Sequence, residues 1–567
     1  MDVATSNGNK PHGLRVEAGV GNRRKSSATA AGRRISAAAG ANGEEAVAIV
    51  EGAQLGEADR RLAEMGYVQV YKREFSWLSC FSFAVSVSGL FSSVTTTFSY
   101  PLYAGGAASA VWCWLISGAG CMCIALSVSE LVSAYPTSGG LYFTCKYLAP
   151  ERWVPEISWI CGWLNLLGQI AGVASTEYGA AQLLLAAVSM GTNFTYKPTQ
   201  GHTVGVMAAI TTVHGAINSM NTSALEKITK TYVLFHIGVL VSCCITLLVM
   251  CKDKNSTHYV WTNVTPDSGW TPTGWSFLFG FLSVSWTMTD YDATAHIAEE
   301  IKNPELKAPW SISAALGFTY IGGWLFTIVL AYCMGDPAAI LASEVGQPVA
   351  QIFYNNIGKS GGIFFTVAAF VIMNFCAIVS IQAGSRTVWA YSRDEMLPLS
   401  RVWYKINRVT TTPLYAVWVF TISCILIDLI GLGSYITIAA IFNICAIALD
   451  WSYCIPIICK LLYGKFRPGP WHLGRAGFWV NLWAVTWTLF VSVIFILPTI
   501  RPVTPANMNY ACVILVGIGL FALLYWVIAG QFYYFGPRVK AQLLVASAAR
   551  SSGDSSGEER AEKVAEY

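Results

Sequence analysis

The chain has 567 residues, of which 54% are hydrophobic and only 12% are charged, and its formal net charge is +4. Soluble globular domains carry about 25% charged residues, so this composition excludes an ordinary water-soluble protein. The small net charge gives no indication of a nucleic-acid partner. The abundant Trp and Tyr residues are typical of rings at membrane interfaces. An integral membrane protein is therefore predicted.

The two ends of the chain differ in composition from its middle. Residues 1–74 are rich in Ala, Gly, Ser, Asn and Arg, and they contain no apolar run long enough for a signal peptide. This composition predicts a disordered cytosolic N-terminal tail. Residues 536–567 are again polar and predict a cytosolic C-terminal tail. The helical domain is expected to occupy residues 75–535.

Apolar segments follow one another with short gaps between the tails, and about 20 apolar residues are enough to cross a bilayer as a helix. The pattern predicts an all-α membrane protein with twelve transmembrane helices and both termini on one side. The predicted spans lie near 76–100, 107–133, 155–187, 202–219, 229–251, 273–297, 310–334, 360–390, 412–431, 434–458, 477–499 and 509–532.

The loops indicate the orientation. With a cytosolic N-terminus, the inner loops hold most of the Lys and Arg residues, as the positive-inside rule requires. The glycosylation sequons at Asn193, Asn255 and Asn263 then fall in outer loops and are predicted to be modified. A fourth sequon, at Asn221, falls inside and is predicted to stay bare.

Ser88, Gly89 and Leu90 lie in the first span, which is rich in hydroxyl side chains. A glycine in this setting would let the helix open and free backbone N–H groups for a carboxylate or another anion. The alternative is a patch of small residues where two helices pack closely.

The sixth span contains Asp290, Asp292 and His296 in an otherwise apolar helix. Each charge at this depth costs at least about 2.5–3.5 kcal/mol, which argues against a structural accident. Asp292 and His296 are four residues apart and share a helical face. The two carboxylates repel each other, so one of them is a candidate to hold a proton. They would act as a counter-charge for a substrate amine or as proton carriers; the alternative is an internal hydrogen-bonded pair that fixes helix packing.

Glu177 in the third span and His236 in the fifth are further candidates for proton coupling. Other polar residues recur within the spans and indicate a shared polar interior, although each one alone is typical of a packing contact. These residues are Gln169, Asn374, Gln382, Asn443 and Asp450.

Signals for enzymes, metals and cofactors are absent from the sequence. Most of the 16 cysteines lie in apolar runs without metal-binding CxxC spacing, which is typical of packing. No P-loop, GxSxG, HExxH or dinucleotide-binding pattern is present. Transport is therefore expected to follow a gradient or to run downhill.

Three stretches resemble motifs of one transporter group, the amino acid–polyamine–organocation superfamily, and within it the fungal amino acid/choline (GABA/choline) permeases. They are SELVSAYPTSGGLY at 129–142, DYDATAHIAEEIKNP at 290–304 and SRTVWAYSRDEMLP at 385–398. The resemblance covers about residues 65–535. It implies a leucine-transporter-type fold, in which spans 1–5 and 6–10 form inverted repeats, spans 1 and 6 are broken at mid-membrane, and two helices are additional.

The resemblance also implies site residues. Asp290 stands where relatives commonly have glycine, which favours an amine or another cationic substrate. Gate pairs are implied at the cytosolic mouth, where exposed ion pairs contribute little stability. The implied substrate-binding residues are Ser88, Gly89, Leu90, Trp286, Asp290, Tyr291 and Asp292, and the implied gate residues are Glu299, Glu300, Arg386 and Arg393.

Together these observations predict a secondary active transporter of an amino acid, GABA, choline, a polyamine or a similar nitrogenous solute. Proton coupling is expected, with sodium as the alternative ion. An exporter of an alkaloid-like amine and a nutrient sensor that binds without transport remain alternatives. The plasma membrane is the expected location, and the vacuolar membrane is the alternative.

Overall fold

The computed structural model describes residues 57–67, 69–432, 435–504 and 508–537. These residues are helical, and their one β-type pairing is an isolated bridge between Phe75 and Ile301. The α-helices are α1 Glu57–Glu64, α2 Trp77–Ser88, α3 Leu90–Thr97, α4 Ser99–Ala134, α5 Gly140–Leu148, α6 Val154–Gly191, α7 Gln200–Asn218, α8 Thr222–Met250, α9 Thr257–Thr262, α10 Thr273–Phe279, α11 Phe281–Met288, α12 Ala293–His296, α13 Pro304–Cys333, α14 Pro337–Leu341, α15 Pro348–Arg393, α16 Ser400–Trp403, α17 Leu414–Asp428, α18 Tyr435–Tyr463, α19 Gly477–Ile496, α20 Ala511–Tyr525 and α21 Gln531–Tyr533.

Nine helical stretches in this described part of the chain are long and apolar enough to cross a membrane. The length and apolar composition of these helices are those of a multi-pass membrane protein. Helices α4 and α13 pack along each other, and α6 packs against α15 and α18. These long helices surround the polar residues of the interior.

Several helices extend beyond the predicted spans. Helix α13 begins at Pro304 rather than near 310. Helix α15 is interrupted by the non-helical backbone of Gly358 (φ +82), and the helical stretch after it begins close to the predicted 360. Proline suits the first helical position because its missing N–H would have no partner there. Hydropathy detects only the apolar middle of such helices, so their polar first turns escape prediction.

The first predicted span consists of two helices, α2 and α3, which meet at Gly89. This residue has φ +48, a left-handed conformation that ends α2. A Cβ atom at this position would lie 3.2 Å from Ser92 Oγ and 3.3 Å from Cys376 Cβ. Both the backbone conformation and the tight space therefore favour glycine.

The sixth predicted span is also interrupted. Helix α11 ends at Met288, Thr289 is extended, and Asp290 has φ +61. Left-handed backbone costs a non-glycine residue about 1–2 kcal/mol. The surrounding helices must therefore hold Asp290 in this conformation.

The N-terminal segment corrects the prediction of a disordered tail up to residue 74. Helix α1 is followed by an extended segment in which Tyr67 and Tyr71 are buried. Phe75 N donates to Glu300 O at 3.1 Å, and Lys302 N donates to Phe75 O at 3.2 Å. Burial of scattered aromatic side chains holds this segment, and a hydropathy window does not detect such residues. The rest of the predicted tails, residues 1–56 and 538–567, lies outside the described residues.

Candidate functional site

The breaks of the first and sixth spans lie side by side and enclose a small cavity. Its volume is about 10 Å³, which is room for about one water molecule. The lining residues are Ala84, Val87, Ser88, Thr289, Asp290, Tyr291, Ala293, Thr294, Ile312 and Leu316. The structure thus brings Ser88, Asp290 and Tyr291 together, and a solute would enter only if the helices moved apart.

Asp290 has spare hydrogen-bonding capacity. Its Oδ1 atom is buried and has no hydrogen-bond partner among the described residues. Buried polar atoms without a partner are rare in native proteins, and each one calls for a ligand, a proton or a water molecule. Asp290 is therefore the acidic group of the two breaks that is available to a ligand.

Asp292 has the opposite environment, because three donors surround its carboxylate. Tyr453 Oη and Asn165 Nδ2 each donate to it at 2.7 Å, and His296 Nε2 lies 3.0 Å from Oδ2. His296 Nδ1 in turn lies 3.0 Å from Ser138 O. This is the geometry of the internal hydrogen-bonded pair, one of the two interpretations that the sequence left open.

Trp286 is held by contacts from two other helices. Its Nε1 donates to Ser175 Oγ at 2.9 Å, and its ring lies 4.8 Å from the ring of Phe442. Leu90 does not line the cavity, and its side chain packs toward α13, where a Cβ added at Gly322 would lie 3.2 Å from Leu90 Cδ2. The hydrogen bond to Ser175 fixes the orientation of the Trp286 ring.

His236 contacts the first break directly. Its Nε2 accepts a hydrogen bond from Phe91 N at 3.1 Å. The imidazole therefore satisfies one of the N–H groups that the start of α3 leaves free. The structure places His236 at the break between α2 and α3.

The four predicted gate residues form two ion pairs. Arg386 Nε lies 2.7 Å from Glu300 Oε1, and Arg393 Nη1 lies 3.0 Å from Glu299 Oε1. The pairs were expected to be exposed, but at most 6% of any of these side chains is accessible. Buried pairs are costly to break, because the remaining partner is left as an uncompensated charge.

The N-terminal segment covers these two ion pairs. The Tyr67 ring lies 3.6 Å from the Arg393 guanidinium, and its hydroxyl donates to Asp394 Oδ2 at 2.9 Å. Gln69 Nε2 donates to Glu299 O at 2.6 Å, and Tyr71 lies 5.6 Å from Arg386. This cover was not predicted from the sequence, in which two tyrosines within a polar stretch were the available signal.

Comparisons with known proteins decide the family. The family model described as amino acid permease matches residues 75–518. An uncharacterized amino-acid permease of Schizosaccharomyces pombe is 60% identical over 491 residues, covering 86% of this chain and 91% of its own. Amino-acid permease 2 of Neurospora crassa is 50% identical, covering 88% and 92%. Amino-acid permease BAT1 of Arabidopsis thaliana is 34% identical, covering 84% and 95%.

The chain belongs to the amino acid permease family. This result confirms the resemblance to the amino acid–polyamine–organocation superfamily. The permease is an integral, multi-pass membrane transport protein and not an enzyme. Glu130, in the motif at 129–142, joins distant parts of the chain: it accepts hydrogen bonds from Lys460 Nζ and from Leu473 N.

The permease has a second buried polar set, away from the two breaks. Glu177 Oε1 lies 2.7 Å from His214 Nδ1, and Asn374 Oδ1 lies 3.0 Å from His214 Nε2. Glu177 and Asn374 were predicted from the sequence as polar residues of the interior, but His214 was not. An imidazole within an apolar span was the signal that would have found it.

The predicted glycosylation sites differ in accessibility. Asn193 is exposed, and its Oδ1 accepts from Lys359 Nζ at 2.7 Å. Asn263 is half-buried at the end of α9. Asn255 is half-buried as well, and its Nδ2 donates to Ala331 O at 2.9 Å and to Gly335 O at 3.2 Å. The nitrogen that would carry a glycan at Asn255 is therefore already engaged.

The described residues contain no group of three or more His, Cys, Asp or Glu arranged to hold a metal ion. All cysteines among them are free thiols.

Proposed function

We propose that the permease is a proton-coupled secondary transporter that moves a small nitrogenous solute by alternating access. The solute class includes amino acids, GABA, choline and polyamines. The three relatives named above are amino-acid permeases by name, which favours an amino acid or a close analogue such as GABA. The sodium-coupled, exporting and sensing alternatives become outcomes of the test below.

The observation that carries the proposal is the unpartnered carboxylate of Asp290 at the two breaks. Its Oδ1 has no hydrogen-bond partner in the described chain, and Asp290 lines the cavity beside Ser88. A buried carboxylate of this kind is suited to pair with the ammonium group of a solute. The start of α3 offers partial positive charge for a carboxylate at the other end of the same solute.

The remaining predicted site residues have supporting roles in this proposal. Trp286 and Tyr291 provide aromatic surface beside the solute, and Ser88, Gly89 and Leu90 shape the first break. Asp292 positions the sixth break through its three donors. Asp290 pairs with the cationic group of the solute, and His236 fixes the start of α3.

Alternating access requires one face of the bundle to close while the other opens. The buried pairs Glu299–Arg393 and Glu300–Arg386 close one face. In the proposed topology this face is cytosolic, and both termini lie on the same side. The architecture is twelve crossings, with spans 1–5 and 6–10 as inverted repeats and two helices added. The plasma membrane is the proposed location, with the vacuolar membrane as the alternative.

Uptake into proteoliposomes tests this function. The full chain is reconstituted, and labelled GABA, choline, putrescine and neutral amino acids are offered with and without an inward proton gradient. Asp290→Asn is measured beside Asp267→Asn, a control that changes an exposed aspartate. We expect gradient-driven uptake that Asp290→Asn lowers at least about tenfold, equivalent to about 1.4 kcal/mol.

Other outcomes would change the assignment. Unchanged uptake in Asp290→Asn would remove this carboxylate from the solute site. If uptake requires sodium instead of a proton gradient, the coupling ion is sodium. Efflux without uptake would favour an exporter. Saturable binding without any flux would favour a sensor.

A further inference from the structure

A second polar cluster lies where helices α6, α7, α15 and α17 pack together. Glu177, His214 and Asp428 are at most 2% exposed. Asn374, on α15, is half-buried. None of these residues lines the cavity at the two breaks. The cluster therefore needs an explanation separate from solute binding.

The hydrogen bonds around His214 require a bound proton. Asn374 Nδ2 donates to Phe370 O at 2.7 Å, which orients the amide because a carbonyl oxygen can only accept. Asn374 Oδ1 therefore faces His214 Nε2, and Nε2 must carry a hydrogen to donate to it. Nδ1 then faces Glu177 Oε1 at 2.7 Å. Two acceptors do not bond, so a proton must lie between the imidazole and the carboxylate.

The cluster also has more acidic groups than partners for them. Glu177 Oε2 and both carboxylate oxygens of Asp428 have no hydrogen-bond partner in the described part of the chain. Asp428 is close enough to interact electrostatically with Glu177, as are the thiols of Cys376 and Cys424. One imidazole cannot compensate two buried carboxylates, so neutrality requires a second proton.

The pair at the sixth break differs in this respect. Asp292 accepts from Tyr453 and Asn165 in addition to its contact with His296. In the Glu177 cluster, Glu177 Oε2 and both oxygens of Asp428 have no such donors among the described residues. The Glu177 cluster is thus the more suitable of the two to gain and lose a proton.

A cavity approaches the cluster from the end of the bundle opposite the two buried ion pairs. It has a volume of about 200 Å³ and lies between α6, α7 and the segment 345–347. Tyr178, the residue after Glu177, lines it, and Gln182 Nε2 donates to Tyr178 Oη at 2.5 Å. Gln347 Nε2 donates to Gln182 Oε1 at 2.8 Å. The cavity thus reaches the helical turn that carries Glu177.

Helix α15 connects the cluster with the solute site. It carries Asn374 into the cluster and, two residues later, Cys376, whose Sγ donates to Val87 O at 2.9 Å beside the first break. A change of charge at His214 therefore acts on a helix that touches both places.

We propose that Glu177, His214 and Asp428 form a proton-binding site, separate from the solute site, through which a proton gradient drives accumulation of the solute. This inference rests on the proposed transport function and assigns its coupling proton to a defined place. Protons enter from the face opposite the gate, and they leave when the helices rearrange.

Glu177→Gln tests the site, because a glutamine can still donate to His214 Nδ1 but cannot exchange a proton. The full chain is reconstituted with a pH-sensitive dye inside the liposomes and with a solute that the wild type transports. We expect solute exchange at equal pH to persist in Glu177→Gln. Accumulation driven by a pH gradient and solute-dependent internal acidification are both expected to be lost. Glu151→Gln, a change of an exposed glutamate, is the matched control.

Gradient-driven accumulation and acidification at wild-type levels in Glu177→Gln would overturn the proposal. Should this variant fail to fold, Asp428→Asn carries the test, because its side chain has no hydrogen bond in the described chain to lose. Loss of accumulation with preserved exchange then supports the site, and wild-type accumulation overturns it. A wild type that exchanges solute without any response to a pH gradient contradicts this inference and the proton coupling, but it leaves solute transport in place. A wild type without any exchange contradicts the transport function itself.

Discussion

At the scale of single residues, Asp290 and Asp292 show how two neighbouring carboxylates receive different environments. Asp292 accepts from Tyr453 and Asn165 and contacts His296, whereas Asp290 Oδ1 has no partner among the described residues. The sequence predicts that both are unusual, because charges are rare within apolar spans. It does not predict which one is satisfied, since the donors come from distant parts of the chain.

This difference leads to a prediction about stability. Asp292→Asn is expected to lower the free energy of unfolding by about 3 kcal/mol, because it breaks a buried and fully bonded network. Asp290→Asn, the matched variant two residues away, is expected to leave stability unchanged or slightly increased. Thermal unfolding of both purified variants in detergent checks this. An equal loss of stability in the two variants would contradict the assignment of a structural role to Asp292.

At the scale of elements, the N-terminal segment packs against the residues of the two buried ion pairs. Tyr67 lies over Arg393 and donates to Asp394, and Phe75 pairs with the backbone on both sides of Ile301. The two breaks, in contrast, can be predicted from residues close to them in sequence. A glycine among hydroxyls ends α2, and two acidic residues accompany the end of α11.

Removing the ring of Tyr67 should therefore loosen the segment. Tyr67→Ala deletes a cation–π contact and a charge-assisted hydrogen bond, together about 2 kcal/mol. Amide hydrogens of Phe75 and Lys302 should then exchange about 30-fold faster, since exchange follows the local opening free energy. Hydrogen–deuterium exchange measured by mass spectrometry gives the rate. Lys72→Ala, which alters an exposed side chain of the same segment, should leave it unchanged.

At the scale of the whole molecule, composition and hydropathy are sufficient to predict a multi-pass helical bundle, and three motifs are sufficient for its superfamily. The ion pairs Glu299–Arg393 and Glu300–Arg386 join residues that the resemblance named as gate residues. Their burial escapes prediction, because the N-terminal segment and the ends of several helices must first be in place around them. His214 was missed for a related reason: its partners lie on α6 and α15, far away in sequence.

The proposed orientation predicts which sequons receive glycans. Asn263 should be modified, and Asn255 should remain bare, because a glycan would displace the hydrogen bonds of its Nδ2 to Ala331 O and Gly335 O. Asn221 should also remain bare, since the proposed orientation puts it on the cytosolic side. Removal of N-glycans from the protein expressed in a eukaryotic host, with Asn263→Gln and Asn255→Gln compared, checks this by gel mobility. A glycan on Asn221 would reverse the orientation.

Helix α15 has a consequence for how substitutions combine. One helix carries Asn374 of the Glu177 cluster, Cys376 beside the first break and both arginines of the buried ion pairs, Arg386 and Arg393. Residues on one rigid element do not respond independently, so paired substitutions at these places should show strong epistasis in transport rate. Evolution of a new substrate preference at the breaks would then be constrained by residues that never touch the solute.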